Sequence, residues 1–289
     1  MKPQKKNIEK SVRIIGPNPE PGHASAGIGV LWKHRRLLAD FVKRDLKRRY
    51  TGSSIGFFWT VITPLMELIT YTFVFHILIG VDFHPTGSGG LTHYALFLFS
   101  GMVTWFAVSD GLTHSTVSIT SHGHLLKKVN FPSLILPAHL VLSATLNQSI
   151  RMLVLVAAAL IITGGVSWLI LFIPFVMLIQ MAFTLGVGLI LATSNVYFRD
   201  TSHWVSALLL MWMFVTPIFY PAIKFPKQFI LLLQLNPLAH LVGIYRQLIL
   251  NQTFPHINQI IIVCVMSGVV LFVGYSVFHH HRRKFTDFV

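Results

Sequence analysis

Residues 168–196 read WLILFIPFVMLIQMAFTLGVGLILATSNV, with no Asp, Glu, Lys or Arg among them. As a helix this stretch runs to ~43 Å at 1.5 Å per residue, more than the ~30 Å of a bilayer's hydrocarbon core. A soluble domain has no use for an uncharged segment of that length. Gly186 and Gly188 within it suit close helix packing. The stretch therefore decides for a helical protein embedded in a membrane.

Working outward, five further apolar runs lie at 57–80, 94–115, 134–163, 204–220 and 257–278. The run at 134–163 is interrupted by Asn147, Gln148 and Arg151. Two shorter runs, 229–235 and 238–250, flank Asn236-Pro237. Neither reaches ~20 residues, so they read as a re-entrant or interfacial pair. The fold class is an all-α membrane protein with six transmembrane helices and a short re-entrant helix pair between spans five and six. An amphipathic interface helix precedes the first span.

Composition agrees. The 289 residues are 53% hydrophobic and 11% charged, with mean hydropathy +0.65, whereas soluble domains are about a quarter charged. This apolar content excludes disorder, and a single cysteine, Cys264, excludes a disulfide scaffold. The formal net charge is +14, and residues 1–55 hold 13 of the 23 basic residues and 4 of the 9 acids. No basic-aromatic module or groove-reading motif accompanies that charge, so it does not indicate nucleic acid. Beside apolar spans it reports cytoplasmic orientation and contact with anionic membrane lipids. Lys127, Lys128, Arg199, Arg282, Arg283 and Lys284 fall on the same side as the N-terminal segment, against Lys224, Lys227 and Arg246 on the other. Both termini are thus expected in the cytoplasm.

Residues 1–30 form a polar tail whose Gly16-Pro17-Asn18-Pro19-Glu20-Pro21-Gly22 cannot sustain a helix, and no apolar core marks a cleavable signal peptide. Over 31–50, Leu38, Val42, Leu46 and Tyr50 recur at four-residue steps while Lys33, Arg35, Arg36, Lys43, Arg44, Lys47, Arg48 and Arg49 fill the other faces. That is a basic amphipathic helix suited to a membrane surface. The organisation is then a tail at 1–30, an interface helix at 31–54 and a six-span domain at 55–289.

No GxxxxGK[ST] loop occurs, so no phosphate cradle of the Walker type is present. His279-His280-His281 abuts Arg282-Arg283-Lys284 and reads as an interfacial cap in preference to a metal site. No catalytic constellation is evident. The chain moves or holds something and transforms nothing.

Several ordered motifs are more specific: RYTGSSIGFFW over 49–59 with Pro64-Leu65, YALFLFSG over 94–101, then Trp105 and Ser109-Asp110. There follow LLKKVNFP over 125–132, NVYFRD over 195–200, TPIFYP over 216–221, LNPLAH over 235–240 and Tyr245-Arg246. From about residue 31 onward the chain resembles the permease subunits of ABC-2 type polysaccharide exporters, which export O-antigen, capsule and teichoic-acid polymers. The resemblance implies a homodimer in the inner (plasma) membrane, bound to two copies of a cytoplasmic ATPase subunit that carries ATP and Mg. The chain itself would bind no cofactor and no metal. It also implies a coupling helix in the loop between spans two and three, where His124, Leu125, Lys127 and Lys128 lie, with Arg44 and Arg48 on the interface helix beside it. The substrate would be a lipid-linked polysaccharide passing between protomers.

A candidate lining for that path follows from spacing. Thr63, Glu67, Tyr71 and Phe75 stand at four-residue steps on span one, and Trp212, Thr216 and Tyr220 repeat the pattern on span five. Sugars offer C–H faces to aromatic rings and hydroxyls to polar groups. Glu67 and Arg151 are charges near mid-span, ~16 Å and ~18 Å from the ends of their helices. They are expected off the lipid face, either as a direct or water-bridged pair or as two separate lumen groups. Rival readings are an ABC-2 exporter of a small lipophile or drug, a membrane-embedded glycosyltransferase, and a non-catalytic scaffold. A glycosyltransferase would want acids in the first outer loop, which holds only Asp82.

Overall fold

A chain in hydrocarbon must satisfy its own backbone N–H and C=O groups, and uninterrupted helix is the local solution. The computed structural model describes residues 29–50, 56–78, 80, 91–128 and 131–288. Among these residues every regular element is helical. The elements are α1 (Gly29–Lys33), α2 (Arg35–Tyr50), α3 (Trp59–Thr72), α4 (Leu91–Ser121), α5 (Gly123–Lys128) and α6 (Ile135–Thr163). Then come α7 (Ile173–Tyr197), α8 (Thr201–Val215), α9 (Ile230–Gln234), α10 (Pro237–Ile249), α11 (Ile257–His281) and α12 (Phe285–Phe288). The polar tail at 1–28 lies outside the described residues.

Four segments are long and apolar enough to cross a bilayer: His93–Ser121, Ile135–Thr163, Trp168–Tyr197 and Ile257–Phe288. A fifth is possible if Lys227–Gln234 and Pro237–Ile249, bent by 85° at Asn236, count as one. The six-span expectation is thus met only in part. The first run divides into α3 and a π-helical turn at Phe73–Leu78. The fifth, expected over 204–220, stops at Val215. Pro217 lacks an N–H, and the residue before a proline avoids helical backbone, so Thr216 turns extended.

The 134–163 run, interrupted by polar residues in sequence, is one continuous helix. Gln148 of α6 and Gln180 of α7 exchange amide hydrogen bonds of 2.9 and 3.0 Å, and Tyr245 of α10 donates to Gln180 Oε1 at 3.0 Å. Buried amides of this kind glue membrane helices together, each bond contributing on the order of 1 kcal/mol.

Helix direction follows from which ends meet. Ile119, Val196 and Phe278, near the C-termini of α4, α7 and α11, share an apolar cluster with Leu134 and Leu136 at the start of α6. Val30, Phe41, Leu125 and Phe285 close the same end. So α6 runs against the other three, and the N-terminal helices, α5 and α12 all gather at one pole. At the opposite pole Tyr94, Leu169, Leu238 and Leu241 belong to the main cluster. Central helix α4 is 78% buried along its apolar window, against 17% for α11.

Small residues set the tightest crossing. A Cβ on Gly274 of α11 would fall within contact of the Gly186 carbonyl oxygen, closer than any real side chain sits, and one on Gly186 would lie 2.6 Å from Leu271 N. Gly188 lies against Ser115 of α4 in the same way, at 3.1 Å. The close-packing role read for Gly186 and Gly188 is therefore met, with Gly274 as the partner the spacing alone did not reveal.

Candidate functional site

The interface helix breaks at His34, between α1 and α2. Phe41, Val42, Asp45, Leu46 and Arg49 turn inward, while Arg44, Lys47 and Arg48 are exposed. Arg49 is a correction to the surface face assigned from sequence. It continues the four-residue row Phe41–Asp45, which borders the apolar row Leu38–Val42–Leu46, where Val42 is buried. Arg49 donates to Asp45 at 3.1 Å and to Asp110 of α4 at 2.8 Å. His114, one turn on, stands 3.0 Å from the other Asp110 oxygen. Burial opposes the Arg49 charge, but Asp110 and Asp45 outweigh it and raise the pKa.

Two adjoining cavities of about 320 and 310 Å³ share Arg49, Asn147 and Arg151 in their walls. Thr63 of α3 lines one, and Asp110 and His114 of α4 line the other. Each is large enough for roughly ten waters at ~30 Å³ apiece. Asp110 lies ~16 Å along α4 from Ser121, and Arg151 ~24 Å along α6 from Ile135, at 1.5 Å per residue. The polar space thus lies at mid-depth in the bundle. His114, 49% exposed, marks its open side.

Arg151 stacks over the Phe106 ring at 5.2 Å. Glu67 of α3 is near enough for the two charges to interact. Among the described residues they form no ion pair, however, and one Glu67 carboxylate oxygen is buried without a hydrogen-bond partner. Of the arrangements expected for them, the direct pair is not formed among the described residues. A charge held at this depth costs at least ~2.5–3.5 kcal/mol in lipid; the cavity wall spares Arg151 that surrounding.

The span-five stripe has a different environment. Thr216 is fully buried, donates to Trp212 O at 2.9 Å and accepts from Asn236 Nδ2 at 3.0 Å. Trp212 Nε1 donates to Asn236 Oδ1 at 3.0 Å, and the Tyr220 hydroxyl donates to Phe214 O at 2.7 Å. The Tyr220 hydroxyl thereby satisfies a carbonyl left open where α8 ends, and Asn236 ties that end to the start of α10. The side chains of Tyr71, Phe75 and Lys128 lie outside the described residues. On α5, His124 and Lys127 are exposed, and Leu125 rests on the basic-pole cluster.

Arg246 is a second correction. Read from sequence as an outer-loop charge, it is buried in α10. It donates to Pro217 O (2.7 Å), Ile218 O (2.9 Å) and Phe97 O (3.1 Å), and to the Ser100 hydroxyl at 3.3 Å. Its guanidinium lies 3.4 Å from the Phe97 ring centroid. Non-helical backbone at membrane depth survives only where protein satisfies it, and Arg246 does so for the 216–218 turn. Ser100-Gly101 and Tyr245-Arg246 stood among the sequence motifs, but nothing in their spacing predicted that they meet. Among the described residues no three His, Cys, Asp or Glu side chains gather as metal ligands.

The fold and site define a multi-pass membrane protein whose polar interior is built from helix side chains, with a bent helical hairpin latched at one pole. The chain belongs to the ABC-2 type transporters, whose family model matches residues 38–250. It is similar to the O-antigen export system permease protein RfbA of Myxococcus xanthus, 30% identical over 259 residues, covering 89% of this chain and 96% of that one. An RfbA of Klebsiella pneumoniae is 29% identical over 254 residues, 87% of this chain and 94% of its own. The polysialic acid transport protein KpsM of Escherichia coli is 23% identical over 239 residues, 81% of this chain and 89% of its own. As an ABC-2 permease subunit the chain is not itself catalytic; it binds no cofactor, and ATP is bound by its partner.

Proposed function

We propose that this chain is the permease of an inner-membrane exporter that moves a lipid-linked polysaccharide out of the cytoplasm. The observation that carries this is the half-open space in an otherwise apolar bundle to which Arg49, Thr63, Asp110, Asn147 and Arg151 contribute polar wall. A sugar chain needs such a path. An exporter of a small lipophile would have an apolar one. The names borne by the relatives, O-antigen export and polysialic acid transport, agree with a glycan.

In this reading α3 with its π-helical extension, α4, α6, α7, α8 and α11 make six crossings, with α9 and α10 re-entrant from the outside. Both termini, the tail at 1–30 and the interface helix at 31–54 are cytoplasmic, and 55–289 is the translocation domain. Two copies pair, and each meets an ATPase subunit through His124, Leu125, Lys127 and Lys128, with Arg44 and Arg48 alongside. Thr63, Glu67, Tyr71, Phe75 and Arg151 face the path. Trp212 and Thr216 shape its outer end through the hydrogen bonds that hold α8 to Asn236, and Tyr220 does so through its bond to Phe214 O.

The test is loss of surface glycan. Deleting the gene should leave polymer inside the cell, and restoring it should return polymer to the surface; unchanged surface glycan in the deletion contradicts the reading. Cysteines at Lys224 and Gln252 should both react with an impermeant thiol reagent from outside, and protection of either contradicts the topology.

A further inference from the structure

We propose that Arg151 is the seat for a phosphate group at the lipid end of the exported molecule, with Thr63 and Asn147 as neutral neighbours. The inference rests on the export reading above and names the part of the substrate that this cavity holds.

Arg151 lines both cavities, and its one contact of note is the Phe106 ring at 5.2 Å. Among the described residues it makes no hydrogen bond and no ion pair, which leaves its five N–H donors without a protein partner in the cavity wall. Arg49, the other cation in the wall, is committed to Asp45 and Asp110. Glu67 of α3 is near enough for its charge to interact with Arg151, but the two form no ion pair among the described residues. What remains is a planar cationic fork in the wall of a solvent-sized space at mid-depth, a group that matches an oxyanion in a bidentate manner. Phenylalanine on one side holds the guanidinium plane without using a donor. An uncharged sugar gains little from such a group. The phosphate that joins a glycan to a lipid carrier has the charge, the oxygens and the membrane depth to use it.

The experiment uses the full chain in dodecyl maltoside micelles, which contain no phosphate. The probes are farnesyl diphosphate, farnesol, farnesoic acid and inorganic pyrophosphate, with binding read by thermophoresis. Farnesyl diphosphate should bind, and Arg151→Gln should weaken it at least tenfold. Arg151→Lys, which keeps the charge and loses the fork, should recover part of that loss and serves as the second variant if Arg151→Gln does not fold. Farnesol should show no Arg151 dependence. Pyrophosphate competing as well as farnesyl diphosphate supports a site for phosphate itself, while weaker competition supports phosphate borne on a lipid. Farnesoic acid binding as tightly as the diphosphate overturns the phosphate assignment. Farnesyl diphosphate binding that is absent, or equal in wild type and both variants, overturns the site. Surface glycan restored by the wild-type chain alongside such a result leaves the export reading intact; loss of that restoration is the separate failure of the export reading.

Discussion

Arg49 Nη1 donates to Asp110 Oδ2 across 2.8 Å, from the last turn of the surface helix α2 to the interior of the central helix α4. The bond pins an amphipathic helix, which its own charge pattern would leave free on the membrane surface, to the bundle's most buried member. Any force applied to α2 therefore reaches the wall of the polar cavity.

Asp110→Asn should loosen that pin. Both side chains are about a quarter exposed, so a loss of about 1–2 kcal/mol is expected, below that of a fully buried pair. Adding Arg49→Gln should cost less than the sum of the single changes. Melting temperatures of the solubilised variants measure this; strict additivity contradicts the coupling.

Arg246→Met should be far more severe, because it strips donors from the carbonyls of Phe97, Pro217 and Ile218 at once. Each orphaned buried carbonyl costs ~1–3 kcal/mol. Gly101→Ala should act on the same contact, since a Cβ there would lie 3.0 Å from Arg246 Nη2 and 3.2 Å from Ile218 Cα. The yield of monodisperse protein by size exclusion is the readout. Wild-type yield from Arg246→Met contradicts the latch.

Gly274→Ala should force α7 and α11 apart, whereas Gly268→Ala, with nothing within 4 Å of its Cβ, should be tolerated. The expected difference in stability is at least ~2 kcal/mol, the scale of overpacking a tight interface. Equal melting of the two variants contradicts the close crossing.

How much of this was legible beforehand depended on the kind of signal. Periodicity is local, so the interface helix, the long apolar spans and the break at Asn236-Pro237 could be read directly. Length alone misjudged the fifth run, because hydropathy continues through Pro217 where helix does not. Arg246 defeated the sequence reading for a different reason. Three of its four acceptors are backbone carbonyls 28 to 149 residues away, and carbonyls have no sequence identity. A buried carboxylate partner would have announced itself by composition; this arrangement cannot. Arg49 was misplaced by one step of a helical wheel, since the row it belongs to alternates Phe41 with Asp45 and so does not look apolar. The Gly186–Gly274 crossing was half legible, one glycine visible as a packing residue and its partner not.

At the basic pole, Lys127 and Lys128 changed together to Glu should weaken co-purification of the ATPase partner. An exposed pair is worth at most ~1 kcal/mol, so a roughly five- to thirtyfold drop in affinity is the expected range for two reversed charges. Lys33→Glu with Arg35→Glu, at the outer start of the interface helix, should change it little. An equal effect of both pairs contradicts docking through α5.

The most direct test of export is a sealed-vesicle assay. The chain and its ATPase partner are reconstituted into proteoliposomes with a lipid-linked glycan, and a lectin reports glycan on the side away from the ATPase. Glycan should appear there on addition of ATP and Mg, and should fail to appear when the chain is omitted or the ATPase is inactive. ATP-independent appearance of glycan, or none with the complete system hydrolysing ATP, contradicts the assignment of this chain as the polysaccharide permease.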